Sequence, residues 1–335
     1  MKKYLVLLMI CFSVVVFAEN KESLNFITLN SLKYLENMQS ALEPEEYLTI
    51  SFGTTENKVA GSRQDTNYYT HGVPYTFRPT NDDKIWVLDS GNNALKLFNL
   101  EAEVEKKIDL SSFKPIVRDF AVLEDGFWFL NSITGYAYRT DIEGNLLAKM
   151  EGFADARRID VNPNGELLVD YPIKQTILRF ASGHTLKEHF VGEESLSLTA
   201  NEYGQLYGLR IGDNQASLYV RQTASPAWEI ELEKIIYDKH PGVNWAGSEV
   251  IGFDQQNRLY FSLIACDDMG NIFTERLYRY DLQTKASDFI EILTIPYMSS
   301  DLPRERVVTP DGKVLSFYTD DEAQKYIICS YSFNS

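Results

Sequence analysis

Six equivalent positions recur at steps of 39 to 55 residues along this sequence of 335 residues, and five of them carry polar or aromatic side chains. Each position stands four residues beyond an apolar residue of a short β-prone segment, and the sixth position is Leu263. Equivalent positions of a structural repeat lie on one side of the folded protein. We therefore expect a ring that offers carboxylate, amide, phenol and guanidinium groups: Asp89, Asn131, Tyr171, Arg210 and Tyr318.

Basic residues stand in the connections before several of these segments, notably His71, Arg118 and Arg158. A guanidinium group presents a planar fork of donors that suits a carboxylate or sulfate, and a nearby tyrosine can stack on a sugar or peptide. These eight residues together predict a binding site for a small anionic ligand, a glycan or a protein loop. The alternative is that each arginine pairs with a nearby carboxylate and only ties repeats together; the candidate partners are Asp119, Asp155, Asp160 and Asp301.

A metal site is a second possible use of the same side of the protein. Asp89, Asn131 and Asp170 could supply oxygen ligands to calcium. Zinc held by three histidines is disfavoured, since only His71 and His240 fall on this side. The aspartate of such a turn also often caps backbone amides and has no other role. We expect no cofactor and no catalytic residue, with calcium or zinc as the alternative.

The elements that must position these residues are short strands in six similar units. The second strand of each unit begins near Ile85, Phe127, Leu167, Leu206, Leu259 and Val314. Three nearly equal steps are followed by two longer ones, whose excess length we assign to loops around residues 237–247, 266–274 and 296–303. An Asn/Asp/Gly-rich turn precedes every marker strand, and these residues tolerate the positive φ that tight hairpins need.

The ends of the chain predict how the ring of units closes. The last unit offers only three strands, whereas a lone β-prone segment at residues 47–52 precedes the first unit. Pairing that segment with the last unit would remove an exposed sheet edge. The predicted fold is therefore all-β: a six-bladed β-propeller of four-stranded antiparallel blades over residues 47–335, closed by an N-terminal strand. A short N-terminal helix is expected within the lead-in over residues 19–46, from an apolar stripe at Leu29, Leu32, Leu35, Met38 and Leu42.

The first eighteen residues have the pattern of a secretory signal peptide. Lys2 and Lys3 precede an apolar run that ends at Ala18, and the run is too short to span a membrane. Removing it would make the formal net charge of −16 two units more negative. So acidic a surface repels phosphate backbones and disfavours nucleic acid as a partner.

Whether Cys266 and Cys329 pair in an oxidising compartment stays open at this point.

The first unit resembles an NHL repeat. That repeat has Gly-x-Pro, a strand, a polar turn, an aromatic-containing strand and then Asp-Ser-x-Asn, and the matching positions here are Gly72, Pro74, Asn81, Trp86, Asp89, Ser90 and Asn92. Asn131-Ser132 is a second, weaker copy. The resemblance implies a secreted bacterial propeller, with distant similarity to gluconolactonase-like lactonases, streptogramin lyases and peptidyl-hydroxyglycine lyases. Fold kinship of this kind does not transfer activity.

The sequence thus predicts a secreted or periplasmic, non-enzymatic binding propeller. Its partner would be a small molecule, a glycan or a protein loop at one mouth of the central channel. The alternative is a metal-dependent lactonase or lyase that uses the same mouth. We expect a monomer with no nucleic-acid partner and no integral membrane segment in the mature chain.

Overall fold

The computed structural model describes residues 41–61, 74, 76–113, 116–171, 174–191, 195–196, 199–201, 203–212, 215–221, 229–237, 242–270, 272–292 and 306–333. The predicted signal peptide, the predicted helix before residue 41 and His71 lie outside these residues. Within them, no helix is long and apolar enough to cross a membrane.

The described chain folds into six antiparallel sheets of four strands each, which confirms the predicted six-bladed propeller. The strands, in chain order, are β1 (Glu45–Ser51); β2 (Phe77–Pro79), β3 (Ile85–Asp89), β4 (Ala94–Phe98) and β5 (Val104–Asp109) of blade I; and β6 (Asp119–Leu123), β7 (Gly126–Asn131), β8 (Tyr136–Asp141) and β9 (Leu146–Glu151) of blade II. Blade III has β10 (Arg158–Val161), β11 (Leu167–Tyr171), β12 (Thr176–Phe180) and β13 (Leu186–Val191). Blade IV has β14 (Ser195–Leu196), β15 (Leu206–Ile211), β16 (Gln215–Arg221) and β17 (Glu229–Ile236).

Blade V and blade VI complete the ring. Blade V has β18 (Val243–Phe253), β19 (Arg258–Asp267), β20 (Ile272–Asp281) and β21 (Ser287–Ile292), and blade VI has β22 (Arg306–Val308), β23 (Val314–Asp320), β24 (Lys325–Tyr331) and β1. The helical residues among those described are the 3-10 turns Ser90–Asn92 and Ser111–Phe113 and the 3-10 residue Lys174.

The ring closes as the sequence predicted. Strand β1 pairs antiparallel with β24, from Glu45 opposite Ser330 to Ser51 opposite Lys325, and so becomes the outermost strand of blade VI. It begins two residues before the predicted start of the propeller. Ile50 of β1 is fully buried between blade VI and blade I. Both ends of the propeller therefore belong to one sheet.

The hydrophobic core consists of six clusters, and each one lies between two neighbouring blades. Aromatic rings cross several of these boundaries: Trp86 of blade I meets Phe127 of blade II edge to face at 5.0 Å, and Phe77 meets Phe317 of blade VI at 6.0 Å. Since each blade buries its faces against two neighbours, no blade has a core of its own. The abundance of Phe and Tyr is explained by this packing.

The turns that precede the marker strands share one hydrogen-bonding pattern in five blades. The side-chain oxygen of the first turn residue accepts a hydrogen bond from the backbone N–H four residues later, as in Asp254 with Arg258 at 2.9 Å; the others are Thr80, Asn162, Asn201 and Thr309. Each of the six turns ends on a residue with positive φ, among them Asn257 (φ 59°) and Gly312 (φ 91°). A Cβ at Gly312 would also lie 2.4 Å from the Tyr260 hydroxyl oxygen, so this position requires glycine.

The extra residues in the long steps between units were predicted to form loops. In blade V, many of them belong to strands instead. Residues 243–247 belong to β18, and residues 266–267 and 272–274 belong to β19 and β20, so strand length accounts for much of the excess. Trp245, expected in a loop between blades, is a buried strand residue whose indole N–H donates to the Ile235 carbonyl at 3.1 Å. Register shifts at Trp245/Gly247 and Val250/Gly252 bend β18 and interrupt the alternation of inward- and outward-facing residues. The strand is therefore hard to recognise from the sequence.

Candidate functional site

The first strand of each blade lines the axis, where first strands of neighbouring blades contact one another. The central channel therefore has two distinct ends. One of them is the loop end, where strands β3 and β7 terminate at Asp89 and Asn131 and where strands β6 and β10 begin. We call turn end the opposite one, where the turns between the first and second strands of the blades lie. Seven of the eight predicted binding residues belong to the loop end by their positions in the blades, and the eighth, His71, lies outside the described residues.

Asp89 at the loop end is fully buried and already engaged by three donors. Its Oδ2 lies 2.8 Å from Lys96 Nζ and accepts a hydrogen bond from Asn92 Nδ2 at 2.8 Å. Its Oδ1 accepts from the Ala60 backbone N–H at 2.9 Å. Lys96 is equally buried and also donates to the Lys58 carbonyl. This cluster fastens residues 52–61, which lead from blade VI to blade I, onto blade I.

The other two oxygen-bearing residues of the metal alternative are also engaged. The buried Asn131 donates from Nδ2 to the Phe113 carbonyl at 2.8 Å and accepts at Oδ1 from the Thr134 N–H at 3.1 Å. Asp170 Oδ2 lies 3.6 Å from Arg158 Nε. Among the residues described, no group of three or more His, Cys, Asp or Glu side chains could hold a metal ion. A cation at Asp89, Asn131 and Asp170 would have to displace the present partners.

The arginines at the start of the first strands differ in their partners. Arg306 of β22 is buried and lies between two carboxylates of blade V, 3.1 Å from Glu249 and 2.7 Å from Glu275. It ties blade VI to blade V. Arg158 is about 29% exposed and contacts Asp170 of its own blade. Arg118 is half-buried, and its Nε is inaccessible to solvent with no hydrogen-bond partner among the residues that the structure describes.

The remaining predicted residues differ in exposure. Tyr171 is buried and its hydroxyl donates to the Gly152 carbonyl at 3.1 Å; burial, with a smaller contribution from Asp155, raises the pKa of Tyr171 to about 12. Tyr318 is half-buried, and its burial raises the pKa of its hydroxyl. Arg210 is exposed, with its guanidinium carbon 5.1 Å from the centre of the Tyr219 ring. The seven described residues therefore share one end of the channel, while Asp89, Asn131 and Tyr171 have their polar groups committed within the protein.

The turn end of the channel holds a cavity of about 560 Å³. The ends of the first strands of blades I, III, IV, V and VI line it, together with the turns that follow them. A cavity of this size falls within the range of about 300–1,000 Å³ that is typical of small-molecule sites. Sequence reasoning missed this cavity, because the Asn, Asp and Thr residues of these turns were interpreted only as hairpin connections.

Hydrogen bonds between blades hold the walls of this cavity. Arg78 of β2 is buried and donates from Nη2 to Asp119 Oδ1 of blade II at 2.8 Å; Asp119 Oδ2 in turn accepts from the Ile159 N–H of blade III at 2.8 Å. Thr199 before the marker strand of blade IV donates to Asp160 Oδ2 of blade III at 2.6 Å. Gln255 of blade V donates its backbone N–H to the Pro310 carbonyl of blade VI at 3.1 Å. The walls are thus positioned by contacts that cross blade boundaries.

Comparison with known proteins supplies no family. No family model matches the sequence, and no curated protein sequence is similar to it. The fold is similar to that of hydrazine synthase from Kuenenia stuttgartiensis, at 11% identity over 76% of each chain with a TM-score of 0.48. Virginiamycin B lyase from Staphylococcus aureus is similar at 12% identity over 85% of this chain and 98% of that one, with a TM-score of 0.45. The WD40 domain of Neurospora crassa Pan2 is similar at 11% identity over 86% of this chain and 96% of that one, with a TM-score of 0.45. Similarity at this level does not extend to function.

Proposed function

We propose that the protein is a secreted or periplasmic binding propeller that holds a small anionic ligand at the loop end of its channel. The Nε atoms of Arg118, Arg158 and Arg306 are all buried without a hydrogen-bond partner within the described part of the chain, and the observation that carries the proposal is that Arg118, unlike the other two, also has no carboxylate partner there. Leaving a buried donor unsatisfied costs about 1–3 kcal/mol, and more when the group is charged. An anion beside the half-buried Arg118 side chain would supply the counter-charge that no described residue supplies.

The contrast with Arg306 and Arg158 supports the same conclusion. The chain has far more carboxylates than cationic groups, and both of these arginines have a carboxylate partner. The geometry of Arg306 corresponds to an arginine that ties two blades together, whereas Arg158, 3.6 Å from Asp170, keeps about 29% of its side chain exposed. Arg118 has no carboxylate within ion-pair distance among the described residues. An anion is the ligand class that such a guanidinium group attracts most strongly.

Arg158 and Arg210 are the further residues that we assign to the ligand, because both retain exposed guanidinium surface. Tyr318 is placed to add a half-buried aromatic ring. His71 belongs to the proposal from the sequence alone. A rigid ring of blades suits recognition, since it holds these side chains in place before the ligand arrives.

Calorimetric titration of the full chain with sulfate and with citrate tests this proposal. We expect saturable binding of at least one of the two anions, and a dissociation constant at least about tenfold higher for Arg118→Gln, since a hydrogen bond to a charged group contributes about 1.5–3 kcal/mol. Arg279→Gln is the matched control, because Arg279 pairs with Asp288 on the outer part of blade V, 2.6 Å away. Unchanged affinity in Arg118→Gln would contradict the proposal. If Arg118→Gln instead unfolds the chain, then Arg118 is a structural residue.

The alternative of a metal-dependent lactonase or lyase makes a different prediction for the same purified protein. An enzyme of this kind requires stoichiometric bound calcium or zinc, and a chelator should remove both the metal and the activity. The proposal of a binding propeller requires that anion affinity be unchanged by chelator.

A further inference from the structure

We infer that the cavity at the turn end is a second binding site, for a neutral molecule rich in hydroxyl groups, of the size of a disaccharide. This site is separate from the anion site proposed above, since the two lie at opposite ends of the first strands. The inference depends on three properties of the cavity wall: Arg78 and Asp254 are in ion pairs, the other polar groups are amides and hydrogen-bonded acceptors, and apolar rings lie among them.

The charged residues of the wall are largely neutralised within the protein. Arg78 pairs with Asp119 at 2.8 Å and donates to the Phe77 and Phe120 carbonyls as well. Asp254 is buried and pairs with Arg258 at 2.6 Å. A paired charge gains little from an ionic ligand, because binding would have to break the existing contact. The wall therefore does not select a charged molecule through these groups.

The Asp254 carboxylate has a positioning role. It accepts hydrogen bonds from the Gln256 and Arg258 N–H groups, both at 2.9 Å, and from the Tyr260 hydroxyl at 2.9 Å. These bonds fix the turn that carries Gln255 and Asn257 at the cavity. The two side-chain amides are thereby held at the cavity by a buried carboxylate whose oxygens are engaged within the protein.

Asn257 is the group best placed to bind a ligand. It lines the cavity and is half-buried, and its side-chain amide makes no hydrogen bond with any described residue. An amide offers two donors and one acceptor, which suits a hydroxyl group in either role. Gln255 adds a second, exposed amide whose hydrogen bond to Asn81 is long, at 3.4 Å.

Asp160 and Thr199 supply acceptors on the part of the wall that blades III and IV contribute. The Asp160 carboxylate accepts from the Val161 N–H at 2.8 Å and from the Thr199 hydroxyl at 2.6 Å. A carboxylate has about four acceptor positions, so hydroxyl groups of a ligand can be accommodated beside these bonds. Its negative charge disfavours an anionic ligand here, in contrast to the loop end.

Apolar rings complete the wall. Phe253 is held by an edge-to-face contact with Tyr207 at 5.1 Å, and three prolines from blades I, III and VI also line the cavity: Pro79, Pro163 and Pro310. Flat apolar surfaces between hydrogen-bonding groups suit a sugar ring, which has C–H faces and a hydroxyl edge. Such surfaces are rigid and lose little conformational entropy on binding.

The test is a calorimetric titration of the full chain with cellobiose, with N,N′-diacetylchitobiose and with the deacetylated, cationic form of the latter. We expect a neutral disaccharide to bind, and Asn257→Gly to raise its dissociation constant at least about fivefold, because the amide is lost while glycine retains the positive φ. Asn145→Ala is the control, in an exposed turn of blade II.

Three results would overturn the inference: no binding of either neutral sugar, binding of the cationic sugar alone, or neutral-sugar binding that Asn257→Gly leaves unchanged. Sulfate and citrate binding is expected to be unaffected by Asn257→Gly, and sugar binding to be unaffected by Arg118→Gln. The two sites can therefore fail separately.

Discussion

Lys96 Nζ lies 2.8 Å from Asp89 Oδ2, and both side chains are almost completely buried. The pair stands where the Asp-Ser-x-Asn segment of the first unit ends its second strand. It links this turn to the Ala60 N–H and to the Lys58 carbonyl, on the segment that follows the closing strand. The most recognisable motif of the sequence is thus part of the structure that joins the last blade to the first.

Removing only the cation of this pair is expected to destabilise the protein strongly. Lys96→Met would leave a buried, uncompensated carboxylate, at a cost of about 3–5 kcal/mol in the free energy of unfolding. The double variant Asp89→Asn/Lys96→Met is expected to recover more than half of that loss, because no unpaired charge is left. Urea unfolding of the two variants and the wild type measures both values. A double variant less stable than Lys96→Met would show that the charge pair is not the cause.

The closing strand β1 is expected to contribute to the stability of the whole ring. Ile50 is fully buried between blade VI and blade I, so Ile50→Ala should lower the free energy of unfolding by about 2–5 kcal/mol in one cooperative transition. Ser51→Ala, at the exposed neighbouring position, should change it by less than about 0.5 kcal/mol. Equal effects of the two substitutions would mean that β1 is not packed as described.

The two cysteines of the propeller are expected to differ in reactivity. Both are unpaired in the structure; Cys266 is half-buried and Cys329 is buried. Burial raises the pKa of the Cys329 thiol to about 11, so at pH 8 only about one molecule in a thousand carries the reactive thiolate. Burial also raises the pKa of Cys266, which nevertheless retains access to solvent.

Iodoacetamide at pH 8, followed by peptide mass spectrometry, should therefore label Cys266 well before Cys329. In urea the two should react equally. Protection of both cysteines, relieved by a reductant, would indicate a disulfide and would contradict the structure.

Glu166 is expected to make stability fall in acid. Burial raises its pKa, but hydrogen bonds from Lys187 at 2.6 Å and Asn162 at 2.7 Å, with the nearby Arg179 charge, outweigh burial and leave the pKa below the ordinary value of 4.5. A carboxyl group whose folded-state pKa is lowered stabilises the protein above its unfolded-state pKa. That contribution is lost as the pH falls through the folded-state value.

The wild type should thus lose more stability between pH 7 and about pH 3 than Glu166→Gln does, as measured by urea unfolding at both pH values. Asp288→Asn, which removes an exposed carboxylate on the outer strand of blade V, provides the comparison. An identical loss in the wild type and Glu166→Gln would contradict the assignment.

The sequence sufficed for the number of blades, the closing strand and the turns, because each of these leaves a local mark. A residue such as Asn257 or Gly312 indicates a turn with positive φ. The last unit has only three strands of its own, which indicates that a segment from elsewhere in the chain supplies the fourth. The extended strands of blade V were not predictable, since the register shifts near Trp245 and Val250 break the alternation that identifies a strand. The NHL resemblance stays a prediction.

The sites were less accessible to sequence reasoning than the fold. The repeat indicated which residues share an end of the channel, but whether Arg306 pairs with Glu249 or Arg118 lacks a partner depends on how neighbouring blades pack. The cavity at the turn end likewise arises where five blades meet, and no local pattern encodes it. A repeated Asn, Asp or Thr at the start of these turns is a signal that could have directed attention there.

The most direct measurement of the proposed function is the Nε–Hε nuclear magnetic resonance signal of Arg118, assigned by its disappearance in Arg118→Lys. Titration with sulfate or citrate should shift this signal in a saturable way, with the dissociation constant found by calorimetry, while the Arg279 signal stays in place. An Arg118 signal that does not move while an anion binds the folded protein would contradict the account.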